Sequence, residues 1–207
     1  GEAGSHGISA ILVEKNSEGL SFGSNEEKMG WKSQPTAQVI FDDCNISYQQ
    51  LLGEENKGFV YAMRGLDGGR LNIAAAALGG AQTALNIAKK YIKERKAFGK
   101  SLSDFQGLQF KVADMEIAIN SSRIFLREAA WKLDNEKSDA GVYCAMAKKY
   151  VTDNAFNIAN NSLQLLGGYG YLADYGIEKI VRDLRVHQIL EGTNEIMQLI
   201  IARDSLK

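Results

Sequence analysis

Glu191 is the residue whose position in the sequence best suits acid–base chemistry. It belongs to the segment Leu190-Glu191-Gly192-Thr193-Asn194-Glu195, which precedes a helical pattern and offers Thr193 as N-cap. The first N–H groups of a helix have no partner inside it, so they would lie beside this carboxylate. Such a helix end suits a phosphate or a polarised carbonyl group. A capped surface helix that follows an arbitrary acid explains the same residues.

Three other segments are also candidates, two at the ends of helical patterns and one inside a helical pattern. Arg95 lies near the end of the first long helical pattern, where it suits a phosphate but also a solvated cation that complements the helix dipole. Gly167 and Gly168 close the third pattern, as a simple helix stop would. Gly68 and Gly69 interrupt the first helix at about 1 kcal/mol each relative to alanine, so we expect a close backbone approach there.

The elements that position these residues change type once along the chain. Alternating apolar residues predict short β-strands up to about residue 52, and helical spacing predicts helices over residues 59–93, 105–135 and 139–166. A short helix is expected after Asp174 and a last one from Thr193 onward, while Ser103 or Asp104 is placed to cap the second. The predicted fold class is a mainly α, α+β fragment: the end of a β-sheet domain (1–53), then an antiparallel, four-helix-type bundle (54–207).

Composition excludes several classes of function. The net charge of -1, with acids and bases interspersed, gives no basic stripe for nucleic acid. No apolar run approaches the roughly 18 to 20 residues of a membrane span. Cys44 and Cys144 lie outside any metal-binding spacing, so we expect free thiols in a reducing compartment and no metal site.

Taken together, these segments resemble the acyl-CoA dehydrogenase family over essentially the whole chain. The strand region agrees, since Lys28-Met29-Gly30-Trp31 and Val39-Ile40-Phe41-Asp42-Asp43-Cys44 are similar to the second half of the family's middle sheet domain. The family's N-terminal helical domain and first half of the sheet have no counterpart here. We therefore expect a fragment or a processed piece, and FAD binding by these 207 residues alone stays open.

The resemblance implies that Glu191 removes the α-proton of a short, branched acyl-CoA thioester while FAD accepts the β-hydride. A carboxylate can do so only if desolvation raises its basicity and the thioester oxygen receives hydrogen bonds. In the family these donors are a flavin hydroxyl and the backbone N–H of the base itself. Glu191 would then act both as the base, through its carboxylate, and as a hydrogen-bond donor to the thioester oxygen, through its backbone N–H.

The resemblance also assigns binding residues. The residues expected at the FAD site, in part that of a neighbouring subunit, are Arg95, Phe98, Phe105, Gln106, Gln164, Leu165, Leu166, Gly167, Gly168, Thr193, Asn194 and Glu195. The residues expected to meet the acyl-CoA substrate are Asp67, Gly68, Gly69, Arg70, Gly192 and Arg203.

The implied partners are an acyl-CoA, an electron-transfer flavoprotein and further copies of the chain in a dimer or tetramer. The resemblance implies the mitochondrial matrix in a eukaryote and the cytoplasm in a bacterium. Two rival functions fit the same residues. One is an oxidase-type relative that passes electrons to O2, and the other is a truncated, non-catalytic helical bundle that retains only oligomerisation.

Overall fold

A computed structural model of the chain describes residues 3–207, which divide into two compact units. One unit contains residues up to 28 and residues 32–66, and the other contains residues 29–31 and 67–207. The predicted domain division between residues 53 and 54 stays a prediction. No helix within residues 3–207 is long and apolar enough to cross a membrane.

The first unit contains short antiparallel strand pairs, as the alternating pattern predicts. Strand β1 (Ala10–Ile11) pairs with β4 (Leu51–Leu52), and β2 (Leu20–Phe22) pairs with β3 (Val39–Phe41). The register places Leu20 opposite Phe41. Short 3-10 turns occupy Gly4–Gly7 and Tyr48–Gln50.

The second unit is built from helices whose bounds lie close to the predicted ones. They are α1 (Gly58–Glu94, which starts in the first unit), α2 (Gln106–Asp134), α3 (Ala140–Leu166), α4 (Ile177–Arg185) and α5 (Asn194–Ser205). A hairpin of β5 (Lys96–Ala97) and β6 (Lys100–Ser101) joins α1 to α2. The 3-10 turns are Leu102–Asp104, Gly167–Tyr171, Ala173–Tyr175 and Val186–Gln188. The mainly helical class is thereby confirmed.

Small residues let α1 approach its neighbours closely. Ala74, Ala77, Ala81, Ala84 and Ala88 recur at alternating spacings of three and four and are all fully buried. They pack in one core with apolar residues of α2 and α3. Close packing of this kind leaves the helices in fixed relative positions, which is what a precise site requires.

The predicted cap of α2 is wrong. Phe105 is the N-cap residue and makes no side-chain capping bond. Asp104 instead accepts a hydrogen bond from the backbone N–H of Ser101 at 3.1 Å. The reason is that residues 102–104 form a 3-10 turn of their own, and this turn uses the Asp104 carboxylate at its start.

Candidate active site

Glu191 lies in a sharp turn between the 3-10 turn Val186–Gln188 and helix α5. Both Glu191 (φ +56°) and Gly192 (φ +84°) adopt left-handed backbone conformations. This conformation costs energy for a residue with a side chain, so the surroundings must hold Glu191 in it. Thr193 caps α5 as predicted, because its hydroxyl oxygen accepts a hydrogen bond from the Ile196 backbone N–H at 3.4 Å.

The carboxylate of Glu191 lies against helix α1 at Gly69. A Cβ atom added to Gly69 would lie 2.9 Å from Glu191 Cδ and would overlap Oε2. Within residues 3–207, Gly69 is therefore approached by a side chain, whereas no atom lies within 4 Å of such a Cβ on Gly68. The expected approach of the substrate to both glycines stays a prediction. Adjacent residues of a helix point about 100° apart, so only one of the two glycines faces the turn.

Asp67 and Arg70 form an ion pair on the turn of α1 that contains Gly69. Arg70 Nη1 donates to Asp67 Oδ1 at 2.6 Å, and Arg70 is only 8% exposed. The Nε–H of Arg70 is buried and has no hydrogen-bond acceptor within residues 3–207. A buried donor without a partner is costly, so this group is well placed to bind a polar atom of a ligand.

Lys148 of α3 is a site residue that the sequence analysis missed. Its side chain is fully buried, and its Nζ donates to the carbonyl oxygen of Gly192 and to Asn194 Oδ1, each at 2.8 Å. Burial lowers the pKa of Lys148 to about 8, and the nearby charge of Arg70 acts in the same direction. Lys148 falls on the apolar face of α3, at helical spacing from Cys144, Val151 and Ala155, and this position is the sequence signal that could have marked its burial.

Asp153, one turn further along α3, organises the same network. Its Oδ1 accepts hydrogen bonds from the side-chain amides of Asn194 and Gln188, both at 2.7 Å, and Lys149 pairs with its Oδ2 at 2.9 Å. Burial acts to raise the pKa of Asp153, but these bonds outweigh it and hold the pKa below its usual value. The Asn194 side chain is therefore occupied inside the protein, and any contact of Asn194 with a flavin would come from its backbone.

His187 lies in the 3-10 turn that precedes Glu191. It is 4% exposed, and its ring meets that of Trp31 edge to face at 5.1 Å between centroids. Burial lowers the pKa of His187, so its neutral form is favoured. The Trp31 backbone N–H donates to Asp183 of α4, which ties residues 29–31 to the helix that leads into the turn.

A second group of expected site residues lies at the opposite end of α1. Phe98 is 94% exposed and meets Phe105 edge to face at 6.3 Å, while the Arg95 guanidinium lies 5.6 Å from the centre of the Tyr169 ring. Gln106 begins α2, and residues 164–168 end α3 at Gly167, whose φ is +59°. Arg95 makes no ion pair in the described part of the chain.

The two groups are far apart in one chain. From Gly69 to the end of α1 the helix runs about 37 Å at about 1.5 Å per residue. Glu191, Gly192, Asp67, Gly69 and Arg70 are thus brought together, whereas Arg95 and its neighbours are not. Arg203 is exposed near the end of α5 and makes no side-chain hydrogen bond within residues 3–207.

The site lies in a helical bundle, with the Glu191 carboxylate just before helix α5. The family model described as "Acyl-CoA dehydrogenase, C-terminal domain" matches residues 56–206. The chain belongs to the acyl-CoA dehydrogenase family.

Individual relatives agree with this assignment. The chain is 50% identical over 207 residues to the mitochondrial isobutyryl-CoA dehydrogenase of Bos taurus, covering 100% of this chain and 50% of that protein. It is 43% identical over 204 residues to the caffeyl-CoA reductase-Etf complex subunit CarC of Acetobacterium woodii, covering 99% and 54%. The chain spans about half the length of the curated relatives it matches.

A solved structure shows the same arrangement of elements. The butyryl-CoA dehydrogenase of Megasphaera elsdenii superposes with a TM-score of 0.96 at 40% identity, covering 99% of this chain and 53% of that one. Segments 30–36, 64–70 and 186–191 predict a narrower likeness to isobutyryl-CoA dehydrogenase, and the identity to the bovine relative over the whole chain agrees with it.

Proposed function

We propose that this chain forms the base-bearing part of an FAD-dependent acyl-CoA dehydrogenase that acts on a short, branched acyl-CoA thioester. The observation that carries the proposal is the contact of the Glu191 carboxylate with Gly69, beside the buried ion pair of Asp67 and Arg70. A base and a gap in the helix surface then meet at one place, and Asp67 and Arg70 lie on the same stretch of α1.

Glu191 is suited to take the α-proton of the thioester. Its carboxylate is half-buried and its backbone is held in one conformation, so little reorganisation is needed when the proton moves. Bound FAD supplies the acceptor of the β-hydrogen and its electron pair, so that a double bond forms between Cα and Cβ. The backbone N–H of Glu191 is the proposed donor to the thioester oxygen, where negative charge develops.

Residues of α1 are suited to hold the substrate beside the base. The orphaned Nε–H of Arg70 is a ready donor for a polar atom of the CoA moiety, with Asp67 fixing the guanidinium. Gly68 leaves open space on the same stretch of helix. Gly192 and Arg203 complete the proposed substrate contacts.

The second group of residues suits a planar, anionic cofactor. Phe98 exposes nearly its whole ring, and Arg95 offers a guanidinium with no carboxylate partner in the described range. The set proposed here for FAD also includes Phe105, Gln106 and residues 164–168. Because the end of α1, next to Arg95, lies about 37 Å from Gly69 along the helix, we propose that a single cofactor does not reach both groups of one chain. They would serve the FAD of another copy.

A homo-oligomer, either a dimer or a tetramer, is therefore part of the proposal. Helix α2 supports it with an exposed apolar stripe at seven-residue spacing: Phe110, Ile117, Ile124 and Trp131. Contiguous apolar surface of this kind is typical of a protein interface.

The name of the Acetobacterium relative includes an Etf complex, which supports an electron-transfer flavoprotein as the electron acceptor. The mitochondrial name of the bovine relative supports the matrix if the source is eukaryotic.

The Acetobacterium relative is named a reductase. Its name favours a second candidate function: saturation of an α,β-unsaturated acyl-CoA, the reverse of the first reaction. Glu191 would then donate its proton to the α-carbon. The two directions are the same reversible step, so the comparison needed is the anaerobic rate at which a saturated thioester bleaches the oxidised flavin against the rate at which an unsaturated thioester reoxidises the reduced flavin.

The decisive experiment uses the full product of the gene and its E191Q variant. We expect isobutyryl-CoA to bleach the flavin of the wild type anaerobically, while E191Q binds the thioester with similar affinity but is not reduced. Reduction of E191Q at the wild-type rate contradicts the assignment of the base. Rapid peroxide formation in air would favour the oxidase-type alternative. A colourless, folded oligomer would favour the non-catalytic bundle.

A further inference from the structure

Lys148 is the largest fully buried side chain within residues 3–207. It has no partner carboxylate within salt-bridge distance in that range, and both of its hydrogen bonds go to the turn that carries Glu191. Burying an ammonium group is unfavourable compared with burying an apolar chain of the same length, such as methionine. Packing alone therefore does not explain a lysine at this position.

Both hydrogen bonds fall on the C-terminal side of the strained pair Glu191 and Gly192. One is to the carbonyl oxygen of Gly192, the residue directly after Glu191, and the other is to the side chain of Asn194 at the start of α5. Together they fix the orientation of the peptide after Gly192. Two consecutive left-handed residues have no helix or strand bonds to hold them, so such outside bonds decide their conformation.

A further set of bonds makes this anchor rigid. Asn194 donates to Thr152 Oγ1 at 3.1 Å, and Thr152 in turn donates to the Lys148 carbonyl at 2.8 Å. Lys148 and Thr152 lie one turn apart on α3, whose buried side packs in the bundle core. The position of the turn is thereby tied to a helix of the bundle core.

We propose that Lys148 is a positioning residue for Glu191: its ammonium group holds Gly192 and Asn194, and so keeps the turn in the shape that puts the carboxylate against Gly69. This inference rests on the proposed function for its effect on the reaction, but its effect on the turn is independent of it. Lys148 touches no reacting atom and acts only through Glu191.

The test compares K148M with wild type in the full gene product, and K89M is the matched control. Lys89 pairs with Glu116 on the surface between α1 and α2, outside the groups described above. Hydrogen exchange of residues 189–196 should be about tenfold faster in K148M. The anaerobic rate of flavin reduction should fall about 10- to 100-fold, with the dissociation constant of a non-reacting acyl-CoA thioether unchanged. K148R keeps the charge and a hydrogen-bond donor. It should therefore recover part of the reduction rate and part of the protection from hydrogen exchange.

The outcomes separate the inference from the proposed function. A K148M protein with wild-type exchange in residues 189–196, or with a wild-type reduction rate, overturns the role of Lys148. Equal loss of thioether binding and of reduction would indicate general damage and also overturns it. If no acyl-CoA reduces the wild type, the proposed function fails, and the exchange comparison still decides whether Lys148 holds the turn. Should K148M not fold, K148Q must show the same two changes.

Discussion

The Glu191 carboxylate occupies the space that a side chain on Gly69 would fill. Because α1 is a continuous helix at this point, the absence of a Cβ on one residue opens the surface on which the carboxylate lies. The cost of glycine in a helix interior is thus offset by room for the proposed base. This relationship allows the position of Glu191 to be changed without altering Glu191 itself.

We expect G69A to slow flavin reduction by about 10- to 100-fold, because the new methyl group must displace the carboxylate. G79A is the matched control, since Gly79 lies on the same helix and no atom of the described chain approaches its Cβ position within 4 Å. G79A should raise the free energy of unfolding by up to about 1 kcal/mol and leave the rate unchanged. Stopped-flow absorbance and urea unfolding measure the two quantities. A G69A protein that reduces its flavin as fast as G79A contradicts the contact.

Gly68 allows a separate test of substrate approach. No atom within residues 3–207 lies near its Cβ position, so an alanine there leaves the described chain undisturbed. If the CoA moiety passes over this stretch of α1, G68A should raise the dissociation constant of an acyl-CoA by about tenfold, since overpacking costs about 1 kcal/mol or more. The rate of reduction at saturation should change little. Unaltered affinity in titrations of flavin absorbance would remove Gly68 from the substrate site.

The sequence predicts the helices of the bundle well because their apolar residues follow a helical period over long stretches. It also predicts the cap at Thr193, which depends on neighbouring residues alone. The role of Glu191 as a base rests on the family resemblance and stays a prediction. The sequence does not distinguish Gly69 from Gly68, because the side of α1 that faces the turn depends on how the helices pack. Lys148 is missed for the same reason, since its two partners lie more than forty residues further along the chain.

Lys148 should give the folded chain a distinct pH dependence. Its pKa is about 8 in the folded state and about 10.5 in the unfolded state, so between these values the unfolded chain holds a proton that the folded chain has lost. The unfolded state then binds more protons, and the free energy of unfolding rises with pH across this window. For a shift of this size the rise attributable to Lys148 is at most about 3 kcal/mol.

Urea unfolding of wild type and K148M from pH 7 to pH 11 measures this rise as a difference between the two proteins. Charged groups near Lys148 are present in both and largely cancel; they are Asp153, Arg70, Glu191, Glu195 and His187. The stability of wild type relative to K148M should increase above pH 8 and level off near pH 10.5. A constant difference would mean that the buried amine keeps its ordinary pKa.

The apolar stripe on α2 should hold copies of the chain together. Ile117 and Ile124 are 68% and 69% exposed and lie two turns apart on one side of the helix. Placing a carboxylate within a dry interface is strongly unfavourable, so I117D should convert a dimer or tetramer to smaller species at micromolar concentration. K111D introduces the same side chain on another side of α2 and should leave the mass unchanged. Light scattering coupled to gel filtration reports the mass, and helicity by circular dichroism verifies that each variant is folded. If I117D keeps the wild-type mass, the stripe does not form the interface, and the argument that Arg95 serves the cofactor of another copy loses this support.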